Sequence, residues 1–342
     1  MSKTTASRVR ELSPGELDSS TDRRLALDHP FLHVGTWRAF VAGDGRDEVR
    51  LVASIDPRQR VPAGLVGAIG FIATRGDVRR PASVAAMRLA LEAAERWLHR
   101  SGASVVRSPV EFSTWYGHRA MTAGFPERGG PPPFPMEPVN GPGLVEVLTA
   151  VRYTVAHTAA SYEVPVERWV AGAQLGERLM RTAGFSDRPI RLDRLDAELR
   201  TIHAISMAAF RRSWGFSEIS LDEFQAIYRP LVPHIEPAFV RLAISPEGNP
   251  VGFVLALADP AASPGAPDAR FVVKSIAVLP EVRHVAPGVG TGLAVAVHRQ
   301  AAASGYRAAI HACVADEAYT QRISARFGER IRSYATFEKV LP

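Results

Sequence analysis

A run of glycines near the C-terminal end of the chain contains the residues best suited to do chemistry. Gly288, Gly290 and Gly292 alternate with Val289 and Thr291. Glycine lets consecutive backbone N–H groups turn toward one point, because it has no Cβ to obstruct them. A helix that starts here would add the partial positive charge of its N-terminus. The run therefore predicts a site for a phosphate group.

The sequence on both sides of the glycines indicates the elements that must position them. Residues 270–278 are rich in β-branched side chains and predict a strand. Pro280 ends that strand, and a loop with Arg283 and His284 follows. An alanine-rich helix is expected from the glycines to about Ser304. Strand, basic glycine loop and helix together form a typical anion-binding arrangement.

Three families of phosphate-binding loop compete for this segment. A Walker loop needs a Lys-Ser or Lys-Thr pair after its last glycine, but Leu293 and Ala294 follow Gly292. A dinucleotide fingerprint needs glycine at position 293 and further βαβ units. The chain ends soon after residue 293, so the dinucleotide alternative is the weaker competitor.

The third family is the GNAT superfamily of acyl-CoA-dependent N-acyltransferases, which the segment resembles. Its signature is a strand that ends in a hydrophobic-x-Pro-like turn, followed by Arg or Gln, two further residues, and a Gly-x-Gly or Gly-x-Ala that opens a helix. Residues 278–280, Arg283, residues 288–290 and Leu293 fill this pattern. One departure is the four residues between Arg283 and Gly288, where the family has two. The order of elements expected over residues 189–342 is also similar to the family.

The resemblance implies a mixed-sheet α/β fold and a requirement for acetyl-CoA or another acyl-CoA. It implies that free backbone groups of the strand before the loop hold the pantetheine arm and the acyl carbonyl. By position these belong to Ile276, Ala277 and Val278. The pyrophosphate would be held by Arg283 or His284 and by the loop, namely Gly288, Val289, Gly290, Thr291, Gly292 and Leu293.

The resemblance also directs attention to the acid and the base of acyl transfer. Many family members carry a tyrosine in the helix after the next strand, where it protonates the departing thiolate. Alignment on Gly328 puts Ser324 at that position, and Tyr319 lies one turn earlier. His311 is the candidate base because an imidazole pKa suits the task. Each of the three also has a structural alternative in core packing or surface exposure.

The length of 342 residues suggests two domains. The first half repeats the order of strands, helix and strand, and it resembles a degenerate GNAT copy. Gly76 is the one glycine between Ala73 and Pro81, too few for a phosphate loop. The predicted division is a flexible tail (1–26), a degenerate GNAT-like domain (27–164), a connecting helix or linker (165–188) and an acyl-CoA-binding domain (189–342).

Periodicity predicts most of the secondary structure. Expected helices cover residues 81–101, 111–122, 165–184, 196–212, 221–231 and 316–328, with Ser220 as an N-cap. Expected strands include residues 103–110, 190–195 and 330–341 and an antiparallel pair that turns at residues 246–250. The proline-rich stretch 129–143 is interpreted as a loop inside the first domain, and the strand at 153–164 is expected to complete the sheet of that domain.

Composition limits the function classes. The net charge is +6, yet only three of the 41 basic residues are lysines, a bias typical of high-GC coding. The arginines form no basic helix, so we expect no nucleic-acid partner. The absence of a long apolar run predicts a cytoplasmic protein without a membrane partner. The single cysteine, Cys313, excludes an intrachain disulfide and a cysteine metal cluster, and no metal site is expected.

Two functions from different classes fit these observations best. The first is a GNAT-type acyltransferase, which moves an acyl group, in the simplest case acetyl, from acyl-CoA to a small-molecule amine. The second is a non-catalytic acyl-CoA-binding or assembly protein, suggested by the missing tyrosine. A basic nucleic-acid-binding module is a third alternative, which steep salt dependence of binding would reveal. The sequence leaves open whether the protein forms a homodimer.

Overall fold

The computed structural model describes residues 9–12, 29–262 and 264–342. Most of the predicted tail of residues 1–26 lies outside the described residues. Residues 9–12 are an exception, because strand β1 (Arg10–Leu12) pairs antiparallel with the next strand of the chain. The expectation of an unstructured tail is therefore wrong for this short segment.

The first half contains nine strands and two helices among the described residues. In chain order after β1 they are β2 (Thr36–Ala42), β3 (Val49–Val61), β4 (Gly64–Thr74), α1 (Pro81–Arg100), β5 (Ala103–Ser108), β6 (Val110–Glu111), β7 (Gly117–His118), β8 (Ala120–Ala123), α2 (Gly143–Ala150) and β9 (Thr154–Pro165). Helix α1 confirms the prediction, since proline opens it and its apolar face is buried.

The second half begins with a long helix that follows β9 directly. In chain order its elements are α3 (Val166–Thr182), β10 (Ser186–Pro189), α4 (Leu195–Phe210), α5 (Leu221–Tyr228), β11 (Val240–Ile244), β12 (Pro250–Ala258), β13 (Arg270–Val278), α6 (Pro280–Val285), α7 (Val289–Ala303), β14 (Ala308–Ala315), α8 (Tyr319–Phe327) and β15 (Glu329–Val340). The predicted N-cap of α5 is confirmed as a full capping box between Ser220 and Glu223.

Two secondary-structure predictions are wrong. Residues 111–122 form short strands rather than a helix, and β8 of this segment pairs with β15. The strand expected at residues 190–195 lies earlier, at Ser186–Pro189, and residues 192–194 form a 3-10 turn. In both places pairing with a distant strand overrides the local pattern.

One mixed sheet runs through both halves. Its strand order is β1-β2-β3-β4-β5-β15-β9-β14-β13-β12-β11-β10, with β8 attached to β15. Strand β9 pairs with β14 of the second half, whereas β15, the last strand of the chain, pairs with β5 of the first half. The two halves thus exchange their final strands. The expectation that β9 completes the sheet of the first half is therefore wrong.

The segment between β8 and α2 also belongs to both halves. Phe134 packs against side chains of β13 and β14, in a cluster with Val272, Ile310 and Ala312. Glu137 forms a fully buried ion pair with Arg332 of β15, with 2.7 Å between Oε1 and Nε. The loop predicted inside the first domain therefore covers the sheet of the second half. No helix in the described part of the chain is long and apolar enough to cross a bilayer.

Candidate functional site

Strands β13 and β14 separate before they end. Their parallel pairing runs from Arg270 and Ala308 to Val273 and His311 and stops there. On its other side β13 stays paired with β12 as far as Val278, with a register shift at Lys274. The last residues of β13, from Lys274 to Val278, consequently border an opening on the β14 side, which we call the β13–β14 opening.

Two residues of β13 direct their backbone groups into this opening rather than toward β12. The N–H of Leu279 donates to the carbonyl of Val251 on β12, so the preceding carbonyl of Val278 points away from β12. Backbone groups alternate in direction along a strand, so the N–H and C=O of Ile276 and Val278 face the opening. Ala277 instead directs its groups toward β12, opposite Phe253. The opening can therefore offer a ligand backbone donors and an acceptor.

Arg283 closes one end of the opening. Its Nε donates to the carbonyl oxygen of Val278 at 2.8 Å, and its Nη2 donates to the carbonyl of Ala209 at the end of α4 at 2.9 Å. The guanidinium therefore braces β13 against α4, which the sequence did not indicate. The neighbouring His284 is exposed on the same short helix, α6.

The glycine run forms the first turn of α7 rather than a loop, contrary to the sequence interpretation. Gly288 is the N-cap, with a φ of −77°, and none of the three glycines has a positive φ. The N–H of Gly292 donates to the carbonyl of Gly288 at 2.8 Å. The N–H groups of Gly290 and Thr291 find no acceptor among the described residues. The start of α7 can therefore bind an anion.

The three glycines face different neighbours. A Cβ on Gly288 would lie 2.4 Å from the carbonyl oxygen of Gly176, and one on Gly292 would lie 2.4 Å from the sulfur of Met180. Both contacts belong to α3, so these two glycines let α3 pack closely on α7. A Cβ on Gly290 would instead lie 3.6 Å from Cγ2 of Val278 at the β13–β14 opening. Only at Gly290 does the missing side chain leave space beside the opening.

The first half fills the corresponding space with its own groups. At the start of α1 the Asp47 carboxylate accepts hydrogen bonds from Ser83 Oγ at 2.8 Å and from Arg80 Nε at 2.9 Å. The parallel pairing of β4 with β5 also ends early. There, however, the following chain crosses the gap, because a Cβ on Gly70 would lie 2.2 Å from the carbonyl of Val110.

Two of the three predicted catalytic residues lie together in a buried chain of hydrogen bonds. Nδ1 of His311 is 2.8 Å from Oγ of Ser324, and its Nε2 is 3.2 Å from Nε2 of His298. Nδ1 of His298 lies 2.7 Å from the carbonyl of Ala294, so it carries the proton there. Burial lowers the pKa of His298 to about 4 and lowers that of His311 well below its usual value, so both rings are neutral at pH 7.

With neutral rings, one arrangement of protons pairs both imidazoles, and the single Ser324 hydroxyl proton then lies between two acceptors, His311 Nδ1 and the carbonyl of Thr320, each 2.8 Å from Oγ. Since Nδ1 of His298 is protonated, its Nε2 accepts from Nε2–H of His311, and Nδ1 of His311 accepts from the Ser324 hydroxyl. Trp169 of α3 stacks on His298 at 5.1 Å and covers His311 edge-on at 4.6 Å. Tyr319, the third predicted residue, is 70% exposed and far less enclosed.

On the sheet face opposite α7, side chains of the two halves meet in a region that we call the interface cleft. The α4–α5 loop, which carries Trp214, reaches it from the second half. The first half fixes this loop, because the carbonyl of Gly215 accepts from Gln59 Nε2 at 2.7 Å and from Thr114 Oγ1 at 3.0 Å. In addition, Trp115 Nε1 donates to Ser217 at 2.8 Å.

Trp214 is held between two side chains of the cleft. The guanidinium of Arg107 lies 4.5 Å from its ring centre, and the ring of His157 stacks on it at 4.9 Å and 14°. Nε2 of His157 lies 3.1 Å from Oε1 of Glu317, whereas its Nδ1 is buried and has no partner among the described residues. Burial lowers the pKa of His157, so the ring is neutral at pH 7. An imidazole with one nitrogen fixed and the other free can accept a proton.

The sequence did not single out His157. It lies in a strand that the sequence assigned to the other sheet, and its partner Glu317 is distant along the chain. The histidine within an alternating apolar segment was the one available signal. In the described residues no cluster of three or more His, Cys, Asp or Glu side chains is arranged to hold a metal ion.

Comparisons of sequence identify no relative of the chain. No family model matches it, and no curated protein matches it either.

Comparisons of structure are informative. A tandem GNAT protein from the clavulanic acid biosynthesis pathway matches with a TM-score of 0.53 and 12% identity over 98% of this chain and 99% of the other. A probable N-acyltransferase from Enterococcus faecalis V583 matches with a TM-score of 0.56 and 10% identity over 98% of this chain and 73% of the other.

A GCN5-related glucosamine N-acetyltransferase region of a fungal multi-domain GH3 β-N-acetylglucosaminidase also matches. The TM-score is 0.56 and the identity 11% over 97% of this chain, which spans only 38% of that longer protein. At such low identity the likeness concerns the fold. The mixed sheet of this chain, with its two related halves, therefore has the tandem GNAT N-acetyltransferase fold.

Proposed function

We propose that the second half is an acyl-CoA-dependent N-acyltransferase that transfers an acyl group, in the simplest case acetyl, to the amine of a small molecule. One observation carries the proposal: the opening beside Ile276 and Val278 leads directly to the unpaired amides of Gly290 and Thr291. A thioester with a pyrophosphate at its far end fits both features at once. Pyrophosphate would bind at the helix start, and the pantetheine arm would extend β13 by backbone hydrogen bonds.

The chain offers groups for two needs of direct transfer, stabilisation of the oxyanion and removal of a proton from the amine. The amine nitrogen attacks the thioester carbonyl carbon, the C–S bond breaks, and the thiolate leaves and takes up a proton. A backbone N–H of Ile276 or Val278 would donate to the oxyanion, a contact whose loss typically costs about 10²–10³ in rate. Holding the two reactants in one orientation supplies much of the remaining acceleration.

The amine must lose a proton, and His157 is the base that the interface cleft favours. Glu317 fixes its Nε2, and its Nδ1 has no partner among the described residues. Both ring nitrogens of His118, by contrast, are engaged, by Arg119 at 2.6 Å and by the backbone of Thr114. His157→Gln should lower kcat and change KM much less, and it should flatten the acidic limb of the pH–rate profile. An unchanged profile would remove His157 from this role.

Binding and turnover test the proposal separately. Isothermal titration with coenzyme A should give heat with wild-type protein and a weaker response with Gly290→Leu. Acetyl-CoA with a panel of small amines should then release free thiol in an amine-dependent manner. If coenzyme A gives no binding heat, the acyltransferase assignment is wrong.

A non-catalytic acyl-CoA-binding protein is the second candidate. The enclosure of Ser324 and His311 beneath Trp169 favours it, because neither side chain is open to a departing thiolate. Coenzyme A binding without thiol release from any amine would support this alternative. Turnover that Ser324→Ala reduces would contradict it and would support Ser324 as the acid.

A further inference from the structure

Two cations of the interface cleft contact only neutral groups in the part of the chain that the structure describes. The ammonium of Lys274 donates to the carbonyl of Met136 at 3.3 Å. The guanidinium of Arg119 contacts the carbonyl of Cys313 at 3.5 Å and Nε2 of His118 at 2.6 Å. Neither forms an ion pair with a carboxylate of the described residues. Every polar partner of these two charges is therefore neutral.

Burial makes this absence of an anion costly. Nε of Arg119 is buried without any hydrogen-bond partner among the described residues. Burial also lowers the pKa of Lys274, as expected of a cation without a counter-ion. The charge of Glu137 reaches Lys274, but Arg332 and Tyr334 already hold this carboxylate. Arg119 and Lys274 are half-buried, and charges held partly away from water are ordinarily paired, so the cleft lacks an anion that the described residues do not supply.

The two cations lie close together and next to the candidate base. Burial lowers the pKa of His118 most, and the charges of both cations lower it further, so both lie within electrostatic range of this ring. The charge of Arg119 also acts on His157. Lys274 stands at the irregular point of β13 where the opening begins, and Arg119 and Cys313 both have positive φ values, 76° and 52°. Non-glycine residues in this strained conformation are concentrated at functional sites.

We propose that Arg119 and Lys274 bind a carboxylate carried by the acceptor, so that the substrate class is an amino acid or a related amino-carboxylate. This inference rests on the proposed acyltransferase function. The cations lie with Met136 on the sheet face opposite α7, where Phe134 packs against Val272. The thioester approaches from the α7 face, and for this reason we assign the carboxylate to the acceptor rather than to the acyl group.

The first experiment compares matched acceptors with acetyl-CoA. Alanine, phenylalanine and lysine are each assayed against ethylamine, phenethylamine and cadaverine, which lack the carboxylate. Wild-type protein should favour the carboxylated member of a pair by about tenfold or more in kcat/KM, as expected for hydrogen bonds to a charged group. Lys274→Met and Arg119→Gln should reduce that ratio toward one, mainly through KM.

Lys339→Met is the matched control, because Lys339 pairs with Glu95 at 2.7 Å, away from the cleft. This variant should keep the wild-type ratio. Equal use of both members of every pair by an active enzyme would overturn the inference. A preference for succinyl-CoA over acetyl-CoA with the decarboxylated amines, lost in Lys274→Met, would move the carboxylate to the acyl group and overturn the assignment to the acceptor.

A thermal-shift experiment without acyl-CoA separates this inference from the proposed function. Lys274→Met should raise the unfolding midpoint of the free protein, since it removes an unpaired half-buried charge and keeps most of the aliphatic stem. The amino acids should raise the midpoint of wild type and leave that of Lys274→Met unchanged. If they do so while coenzyme A fails to bind, the acyltransferase proposal is wrong and the carboxylate site stands. If they shift neither protein, the carboxylate site is wrong.

Discussion

The same substitution at two positions of α7 should have opposite effects. Gly290 and Gly292 both lie in the first turn, so replacement by alanine improves helix propensity at each by at most about 1 kcal/mol. At Gly290 the new Cβ meets Val278 at 3.6 Å, an ordinary contact. At Gly292 it meets the sulfur of Met180 at 2.4 Å and Cβ of Met180 at 3.2 Å, so side chains must move.

These distances set the expected magnitudes. Overpacking in a closely packed contact costs about 1–3 kcal/mol, so Gly292→Ala should lower the free energy of unfolding by up to about 2 kcal/mol after the propensity gain. Gly290→Ala should leave it unchanged or raise it by up to about 1 kcal/mol. Urea unfolding at constant m-value measures both changes.

Coenzyme A binding should depend on position 290 and not on position 292, the opposite of what we expect for stability. Gly290→Leu places a branched side chain beside Ile276 and Val278 at the β13–β14 opening and should weaken coenzyme A binding by at least about tenfold, equivalent to about 1.4 kcal/mol. Folded Gly292→Ala should bind as wild type does, because its Cβ faces α3. Wild-type affinity in folded Gly290→Leu would refute the assignment of this opening to the thioester arm.

Three further predictions concern stability. Glu137→Ala leaves the fully buried Arg332 unpaired and should lower the free energy of unfolding by about 3–5 kcal/mol, measured by urea unfolding. Ser220→Ala removes the hydroxyl that accepts from Glu223 N–H and should cost about 1 kcal/mol in the same assay. Burial lowers the pKa of His298 from 6.5 to about 4, so between these pH values the unfolded chain binds a proton that the folded chain does not. The free energy of unfolding should therefore fall by about 3 kcal/mol as the pH drops from 6.5 to 4. His298→Gln should flatten this pH dependence.

Each of these has a result that would count against it. A small effect of Glu137→Ala would mean that water reaches the Arg332 pair. A cost of Ser220→Ala near zero would show that α5 does not depend on its cap. A pH dependence that is the same in His298→Gln and wild type would assign the acidic loss of stability to other groups.

Local patterns determined elements in both halves. Proline at the start of α1, the capping residues of α5 and the turn between β11 and β12 act within a few residues, so the sequence alone predicts them. The glycine run and its flanks likewise indicated the strand and the helix start that we propose as the phosphate site. What they could not indicate is that two of the glycines also accommodate α3, because helix packing depends on residues more than a hundred positions away.

The wrong secondary-structure predictions also arise from contacts between residues that are distant in the chain. Residues 111–122 were predicted as a helix, yet β8 in this segment is a strand because β15, far along the chain, offers it backbone hydrogen bonds. β1 is likewise a strand because β2 pairs with it.

The interface cleft depends on tertiary structure most of all. His157 enters it because β9 pairs with β14 and β15. The charge of Arg119 acts on Lys274 because the first half packs across the sheet of the second. Hydrophobic period and turn chemistry are local properties, so the sequence determined the elements and the glycine segment. The exchange of final strands between the halves depends on pairing between strands that are far apart in the chain. Only the tertiary structure therefore decided which charged side chains lie near one another in the interface cleft.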